Sequence, residues 1–181
     1  YNCHLKPHIS QLMNKHTNIC LNVILDHSRH LLNRLHDNSI DVCFSYLATN
    51  EISYKCIPYK TDEIIFVTNS QNIQFSNGIH NGEILHLPII YSKFMPKSGF
   101  DWIHDIFPPH YVFQFTISVI KEIIPFLLQY PYYAFLPRKL IEKELKDGLL
   151  IEIPLLDYHI PPLQSYIIMK SNAKYNPLDY F

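Results

Sequence analysis

The stretch LLNRLHDNSIDVCFSY, residues 31–46, decides the fold of this chain. Its leading leucines have the spacing of one helix face, and a polar turn follows at residues 36–39. Residues 40–46 are typical of a short buried strand, and residues 21–25, ahead of the helix, predict another strand. The stretch therefore predicts a strand–helix–strand unit. In open α/β sheets of this kind, ligands bind at the carboxyl edge of the strands.

The turn between the first strand and the helix carries Asp26, His27 and Ser28. Short polar side chains such as aspartate and serine are typical of helix starts, where they accept hydrogen bonds from free backbone N–H groups. We therefore predict that Asp26 and Ser28 cap a helix over residues 28–36.

The same alternation of strands and helices continues along the chain. Further helices are predicted over residues 3–15, 99–107, 118–129 and 138–147, and further strands over residues 54–58, 63–68, 88–91, 111–116, 132–136, 149–153 and 165–169. Strands that alternate with helices of about ten residues are typical of βαβ crossovers, so we predict an α/β fold with largely parallel sheets. Two such runs predict two lobes.

Composition excludes several classes of protein. The 181 residues carry a formal net charge of −1, and acidic and basic residues are interspersed. No basic stripe is present that could neutralise a row of phosphates, so this chain alone is a poor candidate for nucleic-acid binding. No apolar run reaches the ~20 residues that span a bilayer.

The cysteines indicate where the protein works. Cys3, Cys20, Cys43 and Cys56 have spacings unlike any zinc or redox motif. We therefore predict free thiols and a cytoplasmic protein, because the cytoplasm keeps thiols reduced.

Neither catalysis nor a bound cofactor is indicated. The chain has no GxSxG or HExxH motif and no glycine-rich phosphate loop, so we predict that it is not an enzyme. His4 and His8, and likewise His27 and His30, are spaced so that both rings of a pair could reach one ion. The remaining ligands of such a site are not identifiable, so no metal site and no cofactor are predicted.

Four segments, taken in order, resemble the effector-binding domain of LysR-type transcriptional regulators. They are an opening helix followed by LNVILDHSRHLLNRLHDNSIDVCFSYL, then IPYKTDEIIFVT, then EILHLPIIYS, and finally SVIKEIIPFLLQYPYYAFLPRKLIEKELKDGLLIEIPL with SYIIMKSNAKYNPLDYF. Together they cover nearly the whole chain. One departure is QYPY, residues 129–132, which stands where the family has a glycine-rich turn.

The resemblance implies two Rossmann-like lobes with a hinge, similar to type 2 periplasmic binding proteins. Lobe I would comprise residues 1–67 and 165–181, and lobe II residues 68–164. A small, anionic effector would bind between the lobes, and the domain would form a homodimer. The family's first strand would be shortened here. Its winged helix-turn-helix, the part that binds DNA, would be absent from this chain.

The resemblance also implies which residues contact the effector. In lobe I these are the start of the first helix and the turn before the second, and in lobe II they follow two strands. Aromatic walls come from further tyrosines. The predicted effector contacts are Asn2, Cys3, His4, His27, Ser28, Tyr46, Tyr91, Ser92, Thr116, Ser118 and Tyr132.

Two other functions stay open at this point. A solute-binding protein of a transport system would share the two-lobe fold, although the free cysteines and the lack of an export signal favour a regulator. An enzyme on this fold is the weakest hypothesis, because no catalytic constellation is found. A peroxide sensor is disfavoured because the redox-sensing relatives carry their cysteines in lobe II, where this chain has none.

Overall fold

The computed structural model describes residues 4–16, 18–92 and 102–173. The chain divides into two compact units, Tyr1–Thr61 with Gln164–Phe181 (unit 1) and Asp62–Leu163 (unit 2). Both combine helices with strands, as predicted for an α/β fold. The lobe limits implied by the resemblance stay a prediction.

Unit 1 contains helices α1 (Leu5–Lys15) and α2 (Ser28–His36) and strands β1 (Val42–Ser45), β2 (Tyr54–Asp62) and β8 (Leu163–Lys170). The strands form one sheet in the order β1-β8-β2, in which β1 and β8 are antiparallel. Leu35 of α2 packs against Cys43 of β1 and Ile168 of β8, and all three side chains are buried. These contacts form the core of unit 1.

The predicted strand over residues 21–25 is wrong. No strand pairs with this segment among the described residues, and it forms no ladder. Its alternating apolar side chains, Leu21, Val23 and Leu25, are 40%, 43% and 66% exposed. An apolar, β-branched segment becomes a strand only when a neighbour satisfies its backbone N–H and C=O groups, and its sequence pattern does not supply that neighbour.

Unit 2 contains three antiparallel strands in the order β6-β3-β7 and a parallel pair, β4 and β5. An isolated parallel bridge between Ile89 and Tyr133 links the start of β4 to β6. The strands are β3 (Ile64–Asn69), β4 (Ile90–Ser92), β5 (Phe115–Ile117), β6 (Tyr133–Pro137) and β7 (Leu150–Glu152), and the helices are α3 (Asn81–Ile84), α4 (Ile103–Ile106), α5 (Ile123–Gln129) and α6 (Glu142–Lys146). Short 3-10 turns precede α5 and α6.

The prediction of largely parallel sheets is wrong for several strand pairs. Strand β3 is antiparallel to both of its neighbours, β6 and β7, and β8 is antiparallel to β1. A helical crossover makes successive strands parallel. Strand β3, however, follows β2 after one residue, and β8 follows the Pro161–Pro162 connection. Their direction is therefore not determined by a crossover.

Two loops of unit 2 are joined by backbone and side-chain contacts. The Ile79 N–H donates to the carbonyl of Pro154 at 2.9 Å, and the Leu156 N–H donates to the carbonyl of Ile79 at 2.9 Å. The Asp157 carboxylate contacts His80 Nδ1 at 2.8 Å and accepts from the Asn81 N–H at 3.1 Å. The chain between β7 and β8 is thus held against the start of α3.

We expect the His80–Asp157 pair to make stability depend on pH. The hydrogen bond that His80 donates to the Asp157 carboxylate raises the pKa of His80 above 6.5. The stability that His80 contributes is therefore complete below that pH and is lost as pH rises through the folded-state pKa. The hydrogen bond from His80 lowers the pKa of Asp157 below 3.8, so its contribution is lost as pH falls through that lowered value. The pair therefore stabilises the fold most between these limits.

Thermal unfolding of the wild type and of His80→Gln checks this prediction. The wild type is expected to have the higher Tm near about pH 5.5, and the difference is expected to shrink near about pH 8.5. The matched control is His159→Gln, which removes another exposed histidine of unit 2. A Tm difference between wild type and His80→Gln that is the same at both pH values would contradict the assignment.

Candidate functional site

In unit 1 the start of α2 lies against the end of β1. His27 directly precedes the helix, and Ser28 is its first residue. The Ser28 hydroxyl oxygen accepts a hydrogen bond from the backbone N–H of Tyr46 at 3.3 Å. The structure therefore brings Ser28 and Tyr46 together, as expected for a shared site. The prediction that Ser28 caps the helix is wrong, because His27 occupies the cap position and no side-chain hydrogen bond caps α2.

Asp26 is surrounded by hydrogen-bond donors. Its carboxylate accepts from the His27 N–H at 2.8 Å and contacts the His30 ring nitrogen at 3.0 Å, and Arg34 Nε lies 3.8 Å away. The backbone bond from His27, followed by the bond with His30, lowers the pKa of Asp26. These donors stabilise the ionised form of the carboxylate. The prediction that Asp26 caps α2 is wrong, because His27 occupies the cap position and Asp26 accepts from the N–H of His27 itself.

His4 lies directly before α1 and contacts the strands of unit 1. Its ring centroid is 6.3 Å from that of Tyr59 in β2, edge to face, and Tyr59 in turn lies 5.4 Å from Phe44 in β1. Asn2 and Cys3, the other two predicted residues at this helix start, lie outside the described residues.

Sequence reasoning missed Tyr59 as a neighbour of His4. The strand predicted over residues 54–58 ends one residue before Tyr59. Strand β2 stands at the edge of the β1-β8-β2 sheet, where proline is tolerated, so it continues through Pro58 to Asp62. The available signal in the sequence is the aromatic Tyr59 between Pro58 and the polar Lys60, and in the structure Tyr59 is half-buried between two exposed residues.

In unit 2 four of the predicted residues lie in or directly after the last residues of β4 and β5. The two strands are parallel, with Tyr91 opposite Thr116 and Ser92 opposite Ile117. Ser118 follows β5 directly, so it lies at the same edge as Ser92. Ser92 is buried, at 1% exposure, whereas Thr116 and Ser118 are exposed. Hydroxyl groups therefore stand at this edge in both strands.

Ser118 does not cap a helix. The predicted helix over residues 118–129 begins later, as a 3-10 turn at Ile120–Glu122 followed by α5. Val119 occupies the position before the turn, and no side-chain cap is formed there. The Ser118 hydroxyl is consequently not committed to a helix end.

The predicted aromatic residues of unit 2 pack against other rings. Tyr91 is stacked on Phe113 with ring centroids 4.3 Å apart, and burial raises the pKa of Tyr91. The Tyr132 ring lies 6.2 Å from Phe115, and its backbone carbonyl accepts from the Thr68 hydroxyl at 2.8 Å. Both tyrosines are half-buried, so each ring keeps an accessible part.

The histidine pairs do not form a metal site in the described part of the chain. No group of three or more histidine, cysteine, aspartate or glutamate side chains is arranged to hold an ion there. The rings of His27 and His30 stand edge to face at 5.8 Å, and His30 is engaged by Asp26.

Two chemical features are common to the candidate residues. In unit 1 the amino-terminal ends of α1 and α2, whose first N–H groups carry partial positive charge, stand beside imidazole and hydroxyl groups. In unit 2 hydroxyl groups stand at the carboxyl edge of a parallel strand pair, the usual ligand edge of such sheets. Helix starts of this kind can bind a small anion. No helix in the described ranges is long and apolar enough to cross a membrane.

Comparisons with solved structures show the same fold. The effector-binding domain of BenM, solved with its effector benzoate, is 16% identical with a TM-score of 0.69, over 98% of this chain and 82% of that chain. The regulatory domain of CrgA from Neisseria meningitidis is 12% identical with a TM-score of 0.76, over 97% of this chain and 86% of that chain. OxyR from Corynebacterium glutamicum is 17% identical with a TM-score of 0.69.

The OxyR alignment covers 94% of this chain but only 55% of that chain, so this chain spans about half the length of that regulator. No curated protein sequence matches this chain. The family model of the LysR substrate binding domain matches residues 1–178. The fold, of the type 2 periplasmic-binding-protein kind, and the predicted resemblance are thereby confirmed, and the chain belongs to the family of LysR substrate binding domains.

Proposed function

We propose that this chain is the effector-binding domain of a LysR-type transcriptional regulator and that it binds a small anionic metabolite. The observation that supports an anion is the pairing of helix starts with imidazole and hydroxyl groups in unit 1. BenM, a protein of the same fold, was solved with benzoate as its effector, which is also an anion. The family match is the reason for proposing a regulator rather than a transport protein.

The proposed ligand contacts are those predicted from the sequence. His4, His27, Ser28 and Tyr46 would serve from unit 1, with Asn2 and Cys3, and Tyr91, Ser92, Thr116, Ser118 and Tyr132 would serve from unit 2. Helix N–H groups and hydroxyls would hold the carboxylate or phosphate, and the tyrosine rings would cover the apolar part. Effector binding would alter DNA binding only if the domain has two conformations that differ in their affinity for the effector.

The regulator is further proposed to work in the cytoplasm as a homodimer, with DNA contacts made by a winged helix-turn-helix outside this chain. Free thiols suit a reducing compartment: the thiols of Cys20, Cys43 and Cys56 are all free. Strand β8 lies between β1, which carries Cys43, and β2, which carries Cys56. Residues on two strands that are separated by a third strand are too far apart for a disulfide. Sedimentation of the purified chain tests the dimer.

A thermal-shift screen tests the proposed function. The panel consists of amino acids, small dicarboxylates, sugar phosphates and aromatic acids including benzoate. A compound at about 100 times its Kd is expected to add about 2.7 kcal/mol to the free energy of unfolding. For an anionic compound that shifts the Tm, Ser28→Ala is expected to weaken binding about tenfold, because a hydrogen bond to a charged group is lost.

Matched controls separate loss of binding from loss of stability. Ser10→Ala removes an exposed serine of α1 whose hydroxyl only donates to the Lys6 carbonyl, so it is expected to leave the ligand-induced shift unchanged. In unit 2, Ser118→Ala is compared with Ser76→Ala in the same way. Equal binding by Ser28→Ala, Ser118→Ala and both controls, or no shift with any anion, would rule out the proposed site.

A further inference from the structure

A groove lies in unit 2, away from the strand ends that carry Ser92 and Ser118. It has a volume of about 620 Å³ and is lined by residues 85–87 on one side and by residues between 108 and 114 on the other. The Tyr111 hydroxyl donates a hydrogen bond to the carbonyl of Leu85 at 3.1 Å and thereby joins the two sides. The volume is in the range of small-molecule sites.

The groove is at the opposite end of the β4–β5 pair from the candidate functional site. Residues 85–87 precede β4, and residues 108–114 precede β5, so the groove lies where both parallel strands begin. Ser92 and Ser118 lie where the same strands end. Three residues of strand span about 10 Å, which makes the groove a separate site within the same unit.

Two imidazoles in the groove have no partner of their own. His86 and His110 are both exposed, one on each side, and neither ring forms a hydrogen bond or ion pair with the described residues. Gln114 adds an amide group, and no carboxylate lies among the lining residues that the structure describes. The polar groups of the groove can therefore donate to an anion, and no negative charge among them opposes it.

The remaining surface of the groove is apolar. Leu85 and Leu87 are half-buried, and Val112 is 83% exposed. Beneath them the ring of Tyr111 lies 4.8 Å from Phe107 and 5.0 Å from Phe113, so the wall is supported by a packed aromatic cluster. A ligand that covers Val112 and the leucines would remove apolar surface from water, which favours binding.

We propose that this groove binds a carboxylic acid with an apolar body. The carboxylate would accept hydrogen bonds from the rings of His86 and His110, and the apolar body would lie against Leu85 and Val112. Such a site is additional to the effector site proposed above and does not depend on it, because the two use different residues of unit 2.

Calorimetric titration of the whole chain with 4-phenylbutyrate, and with its uncharged amide as the matched ligand, tests the groove. The carboxylate is expected to bind about tenfold more tightly than the amide, since only the anion can form charge-assisted hydrogen bonds. The double variant His86→Gln/His110→Gln is expected to lose about tenfold in affinity for the carboxylate and little for the amide. The control His104→Gln removes an exposed histidine of α4 that does not line the groove, and it is expected to bind like the wild type.

Several results would overturn the proposal. They are no saturable binding up to about 10 mM, equal affinity for acid and amide, or an equal loss in the control variant. Loss of binding in Ser28→Ala, with full binding in the histidine double variant, would place the probe in the effector site and refute the groove. Conversely, binding that depends on His86 and His110 supports the groove even if no effector is found by the screen.

Discussion

Replacing Phe66 with alanine is expected to lower the free energy of unfolding of unit 2 by about 3–5 kcal/mol. Phe66 lies in β3, the central strand of the order β6-β3-β7, and is 1% exposed. Its ring is 4.6 Å from Phe135 and stacks on Tyr133 at 5.4 Å. Alanine would remove the buried ring and leave a cavity, because close-packed aromatic neighbours can only partly collapse into it.

Chemical denaturation followed by tryptophan fluorescence measures this effect. Trp102 is the only tryptophan in the sequence, is 3% exposed, and lies 5.1 Å from Phe135, so its emission reports on unit 2. The control Ile73→Ala removes an apolar side chain that is 72% exposed in the same unit, and we expect a change below about 0.5 kcal/mol. A Phe66→Ala loss no larger than that of the control would refute the packing described here.

Replacing Leu35 with alanine is expected to cost unit 1 about 2–5 kcal/mol. Leu35 is the one buried side chain of α2, at 1% exposure, and it packs against Cys43 and Ile168. The buried cluster around Leu35 is small, so the loss of this side chain removes a large share of the buried apolar contacts between α2 and the sheet.

The Cys43 thiol provides the measurement. Burial raises the pKa of Cys43 to about 12, so the thiol reacts slowly with alkylating reagents while unit 1 stays folded. Labelling of the Cys43 peptide, followed by mass spectrometry, is expected to become at least about 30-fold faster in Leu35→Ala. The control Asn33→Ala changes an exposed residue of the same helix. Equal labelling rates in the two variants would show that Leu35 does not hold the helix in place.

Much of the fold could be predicted from local pattern. Helix α1 was predicted over residues 3–15 and observed at Leu5–Lys15, and the continuous apolar run at the start of β3 gave a buried strand at Ile64–Asn69. These elements follow from apolar spacing, which the chain carries within each segment. The order of such elements was also sufficient for the resemblance that the family match confirms.

The candidate site was predictable only in its residue types. The family resemblance implies the residues at the starts of α1 and α2 and at the ends of β4 and β5, and polar residues stand there beside predicted element ends. What their side chains do was not predictable. The Ser28 hydroxyl oxygen accepts a hydrogen bond from the Tyr46 N–H at 3.3 Å, and this contact depends on residue 46 lying beside the helix start in the folded chain.

The sequence by itself determined the alternation of helices and strands, the family, and the chemical character of the candidate ligand contacts. Each of these follows from the spacing and the types of residues within single segments. Only the tertiary structure decided that residues 21–25 are not a strand, that β3 runs antiparallel to its neighbours, and that His4 meets Tyr59. The physical reason is that strand pairing and ring contacts depend on which distant segment satisfies a backbone or covers a surface, and a segment's own pattern does not encode its partner.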